Sequence, residues 1–284
     1  MSSSTEQPGT LEWDEARAAS WLAGAEIRER QLAPITEALF EVADLHPGEH
    51  VLDVGVGSGP TTAEAHAAVQ PGGRVTGIDV LPAMIEAAKR TVPIAEIEWL
   101  VGDVSTYGFP AAAYDVVISR FGVMFFADPV ASFTRLHDAV RPGGRLAMAT
   151  WGRREATGLF GVPYVIATTT LDRLGIDFVP MASDGTMFSL GDAGRVAEVL
   201  GAAGWREIGT RVDNRVVYLG GARTVESAAD DVLRGGPVAG LLDGLPAEAV
   251  AEVRQALVTD FTRRFDGNGV PLPAGFVLIS AIRP

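Results

Sequence analysis

Short apolar strands alternating with helical stretches predict an α/β fold, a parallel sheet covered by helices on both faces. Two further observations support it. The apolar runs end on polar groups, at Asp53, Asp79, Asp103 and Ser119-Arg120, and the first breaks into alternating glycines, Gly55-Val56-Gly57-Ser58-Gly59. Right-handed crossovers bring such strand ends to one edge of a parallel sheet, where ligands bind at the topological switch point.

Taken in order, residues 1–10 read as a frayed tail. From Trp13 to about Ala43 the apolar positions recur with helical spacing, and Pro34 is expected to start a second helix or kink the first. His46-Pro47-Gly48 turns into a strand over 50–54. A helix follows from Pro60-Thr61-Thr62, with the threonines as caps, and ends at Pro71-Gly72-Gly73. Strand 74–79 leads to a helix from Leu81-Pro82 to about Arg90. Strand 97–101 runs into Gly102-Asp103, and strand 114–119 follows the loop at Phe109-Pro110. Asp128-Pro129 opens a helix to Arg141, Pro142-Gly143-Gly144 makes a tight turn, and 145–150 is a fifth strand.

After Trp151 the rhythm breaks. Residues 152–190 show scattered glycine, proline and aromatics and no clean strand. A helix covers 192–203 with its C-cap at Gly204, and 205–219 alternates like a strand or hairpin. Residues 223–266 are helical, broken at Gly235-Gly236-Pro237 and Leu245-Pro246, and 275–282 is a last apolar strand. The expected organisation is an N-terminal helical lid (1–45), a ligand-binding core (46–151), a cap insertion (152–190), and a return to the sheet (191–284) carrying a helical insertion (223–270).

Composition narrows the function classes. The 284 residues suit one large domain or a core with a cap, and 47% hydrophobic with 21% charged residues describes a well-cored chain. The absence of cysteine excludes disulfides, thiolate metal sites and cysteine nucleophiles. A net charge of -13 disfavours nucleic acid and anionic membranes as partners. The first residues lack the basic and apolar regions of a signal peptide, and no apolar run reaches membrane-spanning length. The expectation is a soluble, cytoplasmic protein with a small-molecule partner and no metal; its oligomeric state is open.

A glycine turn between strand and helix admits close backbone approach to a ligand, and a carboxylate about twenty residues later suits a ribose diol. That combination implies a nucleoside-containing cofactor. Three features weigh against a dinucleotide. Asp53 lies two residues before Gly55, where it would repel a diphosphate and attract a cation. The spacing is G-x-G-x-G, not G-x-G-x-x-G. Gly102-Asp103-Val104 offers a carboxylate to an exocyclic amine.

On these residues the stretch 47–151 resembles the class I S-adenosylmethionine-dependent methyltransferases, in their small-molecule subset of menaquinone/ubiquinone-type and natural-product enzymes. VLDVGVGSG is similar to the family's first motif, GIDVLPAMIEAAK to the second and GDV to the third; the run from Tyr114 through RPGGRLAMATW resembles the rest. The resemblance implies a Rossmann-like seven-stranded sheet, with S-adenosylmethionine as cofactor. It places Asp53, Gly55, Gly57 and Gly59 around the methionine moiety, Asp79 on the ribose, and Val80 and Met84 against ribose or adenine. Asp103 would take the adenine amine, Val104 would supply a backbone N–H, and Ser119 and Arg120 would stand beside the methionine end. The strict N-terminal signature of the quinone enzymes is not evident; the helix with Trp13, Trp21, Arg28 and Gln31 resembles the lids of actinobacterial small-molecule methyltransferases.

Each residue also has a plainer role. Asp79 could cap a helix, Asp103 could cap its own turn, Met84 could be core, and Arg120 could pair with a neighbouring acid. Trp21, Phe125, Phe126, Trp151 and Tyr164 are the candidate acceptor-side residues, with Phe121 in the same neighbourhood, and all could be ordinary packing. None of the four histidines, at 46, 50, 66 and 137, falls at a ligand-facing strand end, so no general base is assigned. The acidic metal pattern of catechol-type enzymes and the N/D-P-P-Y signature of nucleobase methylation are absent; Ser119-Arg120-Phe121-Gly122 stands in the latter's place. The leading expectation is methyl transfer to O, N or C of a small, largely apolar metabolite. A cofactor-binding protein that does not transfer methyl (a cyclase scaffold or regulator) is the second reading, and an NAD-dependent oxidoreductase the third.

Overall fold

A computed structural model describes Ala19 and residues 21–181, 186–219 and 224–284. The expected frayed tail and Trp13 lie outside these residues. Seven strands form one sheet in the order β3-β2-β1-β4-β5-β7-β6. They are β1 (His50–Val54), β2 (Arg74–Asp79), β3 (Glu98–Val101), β4 (Tyr114–Arg120), β5 (Val140–Trp151), β6 (Arg206–Tyr218) and β7 (Pro271–Ile282). β1 to β5 are parallel, while β7 runs antiparallel to both β5 and β6. The strand order reverses between β1 and β4, so the switch point lies at the C-terminal ends of those two strands.

The two-residue period of each strand sorts its side chains between two cores. Val51, Val116, Ile118, Ala147 and Ala149 face one cluster; Leu52, Val54, Val117, Leu146 and Met148 face the other. The first cluster is closed by α1 (Ala25–Ala43) through Leu32, Ile35 and Leu39, and by α2 (Pro60–Ala68) through Ala65. The second is closed by α4 (Pro129–Ala139) through Phe133 and Leu136, and by α6 (Ala193–Ala202) through Val196, Val199 and Leu200. Between these, α3 (Pro82–Thr91) packs Ile85 and Ala88 on Val56 and Trp99.

Several local expectations are corrected. Helix α1 continues through Pro34, so no second helix starts there. The threonines do not cap α2; its N-cap is Gly59, and both hydroxyls turn back to Asp53. Pro142-Gly143-Gly144 does not separate helix from strand, because β5 already begins at Val140, with a register shift against β4. Residues 205–219 give one long strand and no hairpin.

The stretch 152–190 holds a 17-residue helix, α5 (Gly158–Leu174), despite Gly161 and Pro163 within it. Tertiary burial of Leu159, Tyr164, Ala167 and Leu171 overrides weak helix propensity there. The later insertion forms α7 (Val225–Arg234), α8 (Gly236–Leu242) and α9 (Ala247–Arg264). All four helices join the same core cluster as α1, so they pack on the α1 face of the sheet.

Candidate functional site

The C-terminal edge between β1 and β2 is built by the glycine turn. Gly55, Gly57 and Gly59 have φ of 74, 56 and 90°. At Gly55 the requirement is also one of space: a Cβ there would come 2.7 Å from the Cα of Gly122, in the loop after β4. The switch point therefore brings two backbones into contact, which a side chain on either residue would prevent. The expected site set did not include Gly122; a glycine one residue beyond the Arg120-Phe121 strand end was the available signal. At Gly57 a Cβ would lie 3.5 Å from the indole nitrogen of Trp21, so the N-terminal segment reaches over the turn.

Asp53 is fully buried beneath this turn. Its Oδ2 accepts hydrogen bonds from the hydroxyls of Thr61 and Thr62, each at 2.7 Å, whereas Oδ1 has no partner among the described residues. Burial pushes the carboxyl up to about 6, against the pull of the two threonines and of the Arg120 charge. Asp79 is held differently. Its Oδ2 accepts from the Gly57 N–H and its Oδ1 from the Leu81 N–H, both at 3.1 Å. Burial raises its pKa too, while these backbone donors lower it. Beside it, Val80 is 46% exposed, an apolar surface at the mouth of the edge.

The other predicted positions fall in different surroundings. Met84 is buried. Asp103 is exposed and its Oδ1 takes the N–H and hydroxyl of Ser105 at 2.8 and 2.7 Å, capping its own turn. Val104 packs its side chain into the second core cluster. Ser119 is buried and donates to the Val54 carbonyl at 2.7 Å, tying β4 to β1 below the turn. Arg120 places its guanidinium against α1, on Glu29 at 2.5 Å and Thr36 at 2.6 Å. Neither Glu29 nor Thr36 stood out in the sequence, because their partner is more than 80 residues away.

Phe121, just past β4, has φ 64° and stacks on Trp151 with centroids 3.9 Å apart and an 11° interplanar angle. A phenylalanine in that conformation costs about 1–3 kcal/mol unless its surroundings hold it. The stack continues edge-on from Trp151 to Phe160 and from Phe160 to Phe188. Phe125 packs on this same cluster, while Phe126 turns to the opposite core and meets Phe133 edge-on at 5.4 Å. Tyr164 lies under the Arg154 guanidinium, and its hydroxyl accepts from the Met181 N–H at 2.8 Å. No group of three or more potential metal ligands occurs among the described residues.

The seven-stranded sheet with an antiparallel β7 and a glycine turn at the β1–β4 switch point is the Rossmann-like fold of solved methyltransferase structures. Residues 51–144 match the model of a methyltransferase domain. The chain is 35% identical over 133 residues to the aklanonic acid methyltransferase DauC of Streptomyces sp. (strain C5), covering 46% of this chain and 60% of that one. It is 30% identical over 185 residues to the nocamycin O-methyltransferase of Saccharothrix syringae, covering 62% and 65%. The matches thus span about three fifths of the length of these curated relatives. Among solved structures, the [4+2]-cyclase SpnF superposes with a TM-score of 0.54 at 18% identity, over 94% of this chain and 95% of that one.

Proposed function

We propose that the chain is an S-adenosylmethionine-dependent methyltransferase acting on a small, largely apolar metabolite. The observation that carries this reading is the pairing of the Gly57 N–H with the Asp79 carboxylate. It fixes an acid at the end of β2 in one orientation beside a turn with no side chain at Gly55, Gly57 or Gly59. The fit to the cofactor rests on two further features. The buried Oδ1 of Asp53 lacks a partner among the described residues, and the Val80 side chain offers an exposed apolar face next to Asp79. Asp53 with the bare glycine turn suits a cationic amino-acid end, Asp79 a ribose and Val80 a base.

When bound, S-adenosylmethionine supplies a methyl already activated on a sulfonium, so the protein's task is mainly alignment. Asp53 contributes negative charge under the turn. Asp79 accepts from the ribose hydroxyls, with its orientation prepaid by Gly57 and Leu81. Val80 and Met84 flank the nucleoside, Asp103 and Val104 stand at the base end, and Ser119 holds the β4 tip level with β1. On the acceptor side Phe125, Trp151 and Tyr164 line the cap face and Trp21 covers the turn, which excludes water from the transfer. Phe126, turned to the other core, supports the loop from behind. The segment 1–45 serves as lid, 46–151 as donor domain, and 152–190 with 223–270 as acceptor cap. The cysteine-free composition suits the reducing cytoplasm.

DauC and the nocamycin enzyme carry methyltransferase names, and their similarity supports transfer over the non-transferring reading. SpnF, a cyclase of the same fold, keeps that second reading in view. Calorimetry with S-adenosylmethionine, S-adenosylhomocysteine and NAD tests the cofactor: binding of the first two and not of NAD is expected. Incubation with methyl-labelled cofactor and a panel of small aromatic and aliphatic acceptors then tests transfer. Tight binding with no label moved to any acceptor would favour the scaffold reading.

A further inference from the structure

We infer that Glu29 and Arg120 form a largely buried latch that holds the N-terminal half of α1, and with it Trp21 in the segment just before the helix, over the glycine turn. Arg120 is in this view a positioning residue acting through Glu29, not a direct ligand of the cofactor; the inference rests on the cofactor edge proposed above. The guanidinium is 8% exposed and the Glu29 carboxylate 22% exposed, so the pair is withdrawn from most solvent screening. Arg120 Nη2 donates to Glu29 at 2.5 Å and Nη1 to the Thr36 hydroxyl at 2.6 Å; that hydroxyl in turn donates to the Leu32 carbonyl at 3.3 Å. Glu29 and Thr36 are seven residues apart, two helical turns, and so stand on one face of α1. One planar guanidinium thereby spans two turns of the helix, a geometry that a lysine ammonium cannot reproduce.

The two ends of the latch touch the proposed site from opposite sides. At the strand end, Arg120 is followed directly by Phe121 and by Gly122, whose Cα abuts Gly55. At the helix end, the guanidinium of Arg28, neighbour of Glu29, lies 4.1 Å over the Trp21 ring and donates to the Trp21 carbonyl. The Trp21 indole nitrogen is 3.5 Å from the position of a Cβ on Gly57. The lower half of α1 is anchored independently, because Leu32, Ile35, Ala38 and Leu39 are buried in the core. Loss of the latch therefore frees the upper half, including Trp21, without unfolding the sheet.

The test compares wild type with Glu29→Gln, Arg120→Lys and the double variant in the full chain. Without ligand, amide hydrogen exchange over residues 21–31 is expected to rise about tenfold in each single variant, with exchange in β1 and β4 unchanged. The double variant should add little, since both changes break one interaction. With ligand, stopped-flow tryptophan fluorescence is expected to show S-adenosylhomocysteine leaving the single variants about tenfold faster. The KM for S-adenosylmethionine should rise while kcat is retained. Unchanged exchange over 21–31 in both single variants overturns the latch. A loss of affinity in Arg120→Lys with none in Glu29→Gln also overturns it, in favour of direct contact between Arg120 and cofactor. If wild type binds neither cofactor form, the functional reading fails, and the exchange result alone decides the latch.

Discussion

Replacing Asp53 by Asn should make the protein gain stability, relative to wild type, as pH rises. Asp53 is fully buried, and its carboxyl is pushed from an ordinary 3.8 to about 6. Between those values the folded chain holds a proton that the unfolded chain has lost, so the contribution of this group to stability falls with rising pH. The shift of about two units corresponds to about 3 kcal/mol, fully expressed near pH 8 and roughly half expressed at pH 5. An asparagine cannot ionise and lacks this dependence. Its altered bonding to Thr61 and Thr62 adds an offset that does not vary with pH, so the slope isolates the charge. The expected result is a difference in unfolding free energy that moves by about 1.4 kcal/mol in favour of Asp53→Asn between pH 5 and pH 8. Urea denaturation of both proteins without added ligand, at four pH values, measures it. A difference constant across that range would refute the claim that Asp53 carries an uncompensated buried charge.

The same site yields three further expectations. Gly55→Ala should cost about 2–4 kcal/mol, because its Cβ meets the backbone of Gly122 in a left-handed conformation, while Gly57→Ala should cost only about 1 kcal/mol, the conformational part; equal losses in urea melts would contradict the close-approach argument. Asp79→Ala should weaken S-adenosylmethionine and S-adenosylhomocysteine alike by about 1–3 kcal/mol, since both carry the ribose, and unchanged affinity by calorimetry would remove Asp79 from the site. The preference for the cationic cofactor over its neutral product should grow from pH 5 to pH 7 as Asp53 ionises; a flat ratio would separate Asp53 from the sulfonium.

The sheet and its ligand edge were legible because they are written locally. Each of β1 to β4 is a short run whose neighbours in sequence supply its turn, and Gly55-Val56-Gly57-Ser58-Gly59 announces a backbone conformation within five residues. The pairings that were missed depend on burial or on contacts distant in sequence. Thr61 and Thr62 sit where capping residues belong, and only burial of Asp53 reveals that their hydroxyls are needed beneath the turn. Helix α5 was hidden because Gly158, Gly161, Pro163 and three successive threonines suppress the propensity signal. Its stability comes from packing against α8, α9 and β7, contacts that no window of sequence contains.

The division of the two phenylalanines after β4 bears on how the proposed donor and acceptor sides would be joined. Phe125 and Phe126 are adjacent, yet one enters the core shared by α1, Trp151 and Tyr164 and the other the core behind the sheet. An acceptor held by the cap meets the first set and not the second, so Phe125→Ala should alter acceptor affinity, whereas Phe126→Ala should act mainly through stability. Between the acceptor set and the glycine turn stands Phe121, kept at φ 64° by its stack on Trp151. Its backbone continues into Gly122 against Gly55. A change in the cap that moves Trp151 is therefore transmitted through three consecutive residues, Arg120, Phe121 and Gly122, to the lid latch and the cofactor turn together. The proposed lid, donor turn and acceptor face would be coupled because that short segment is packed against α1, Gly55 and Trp151.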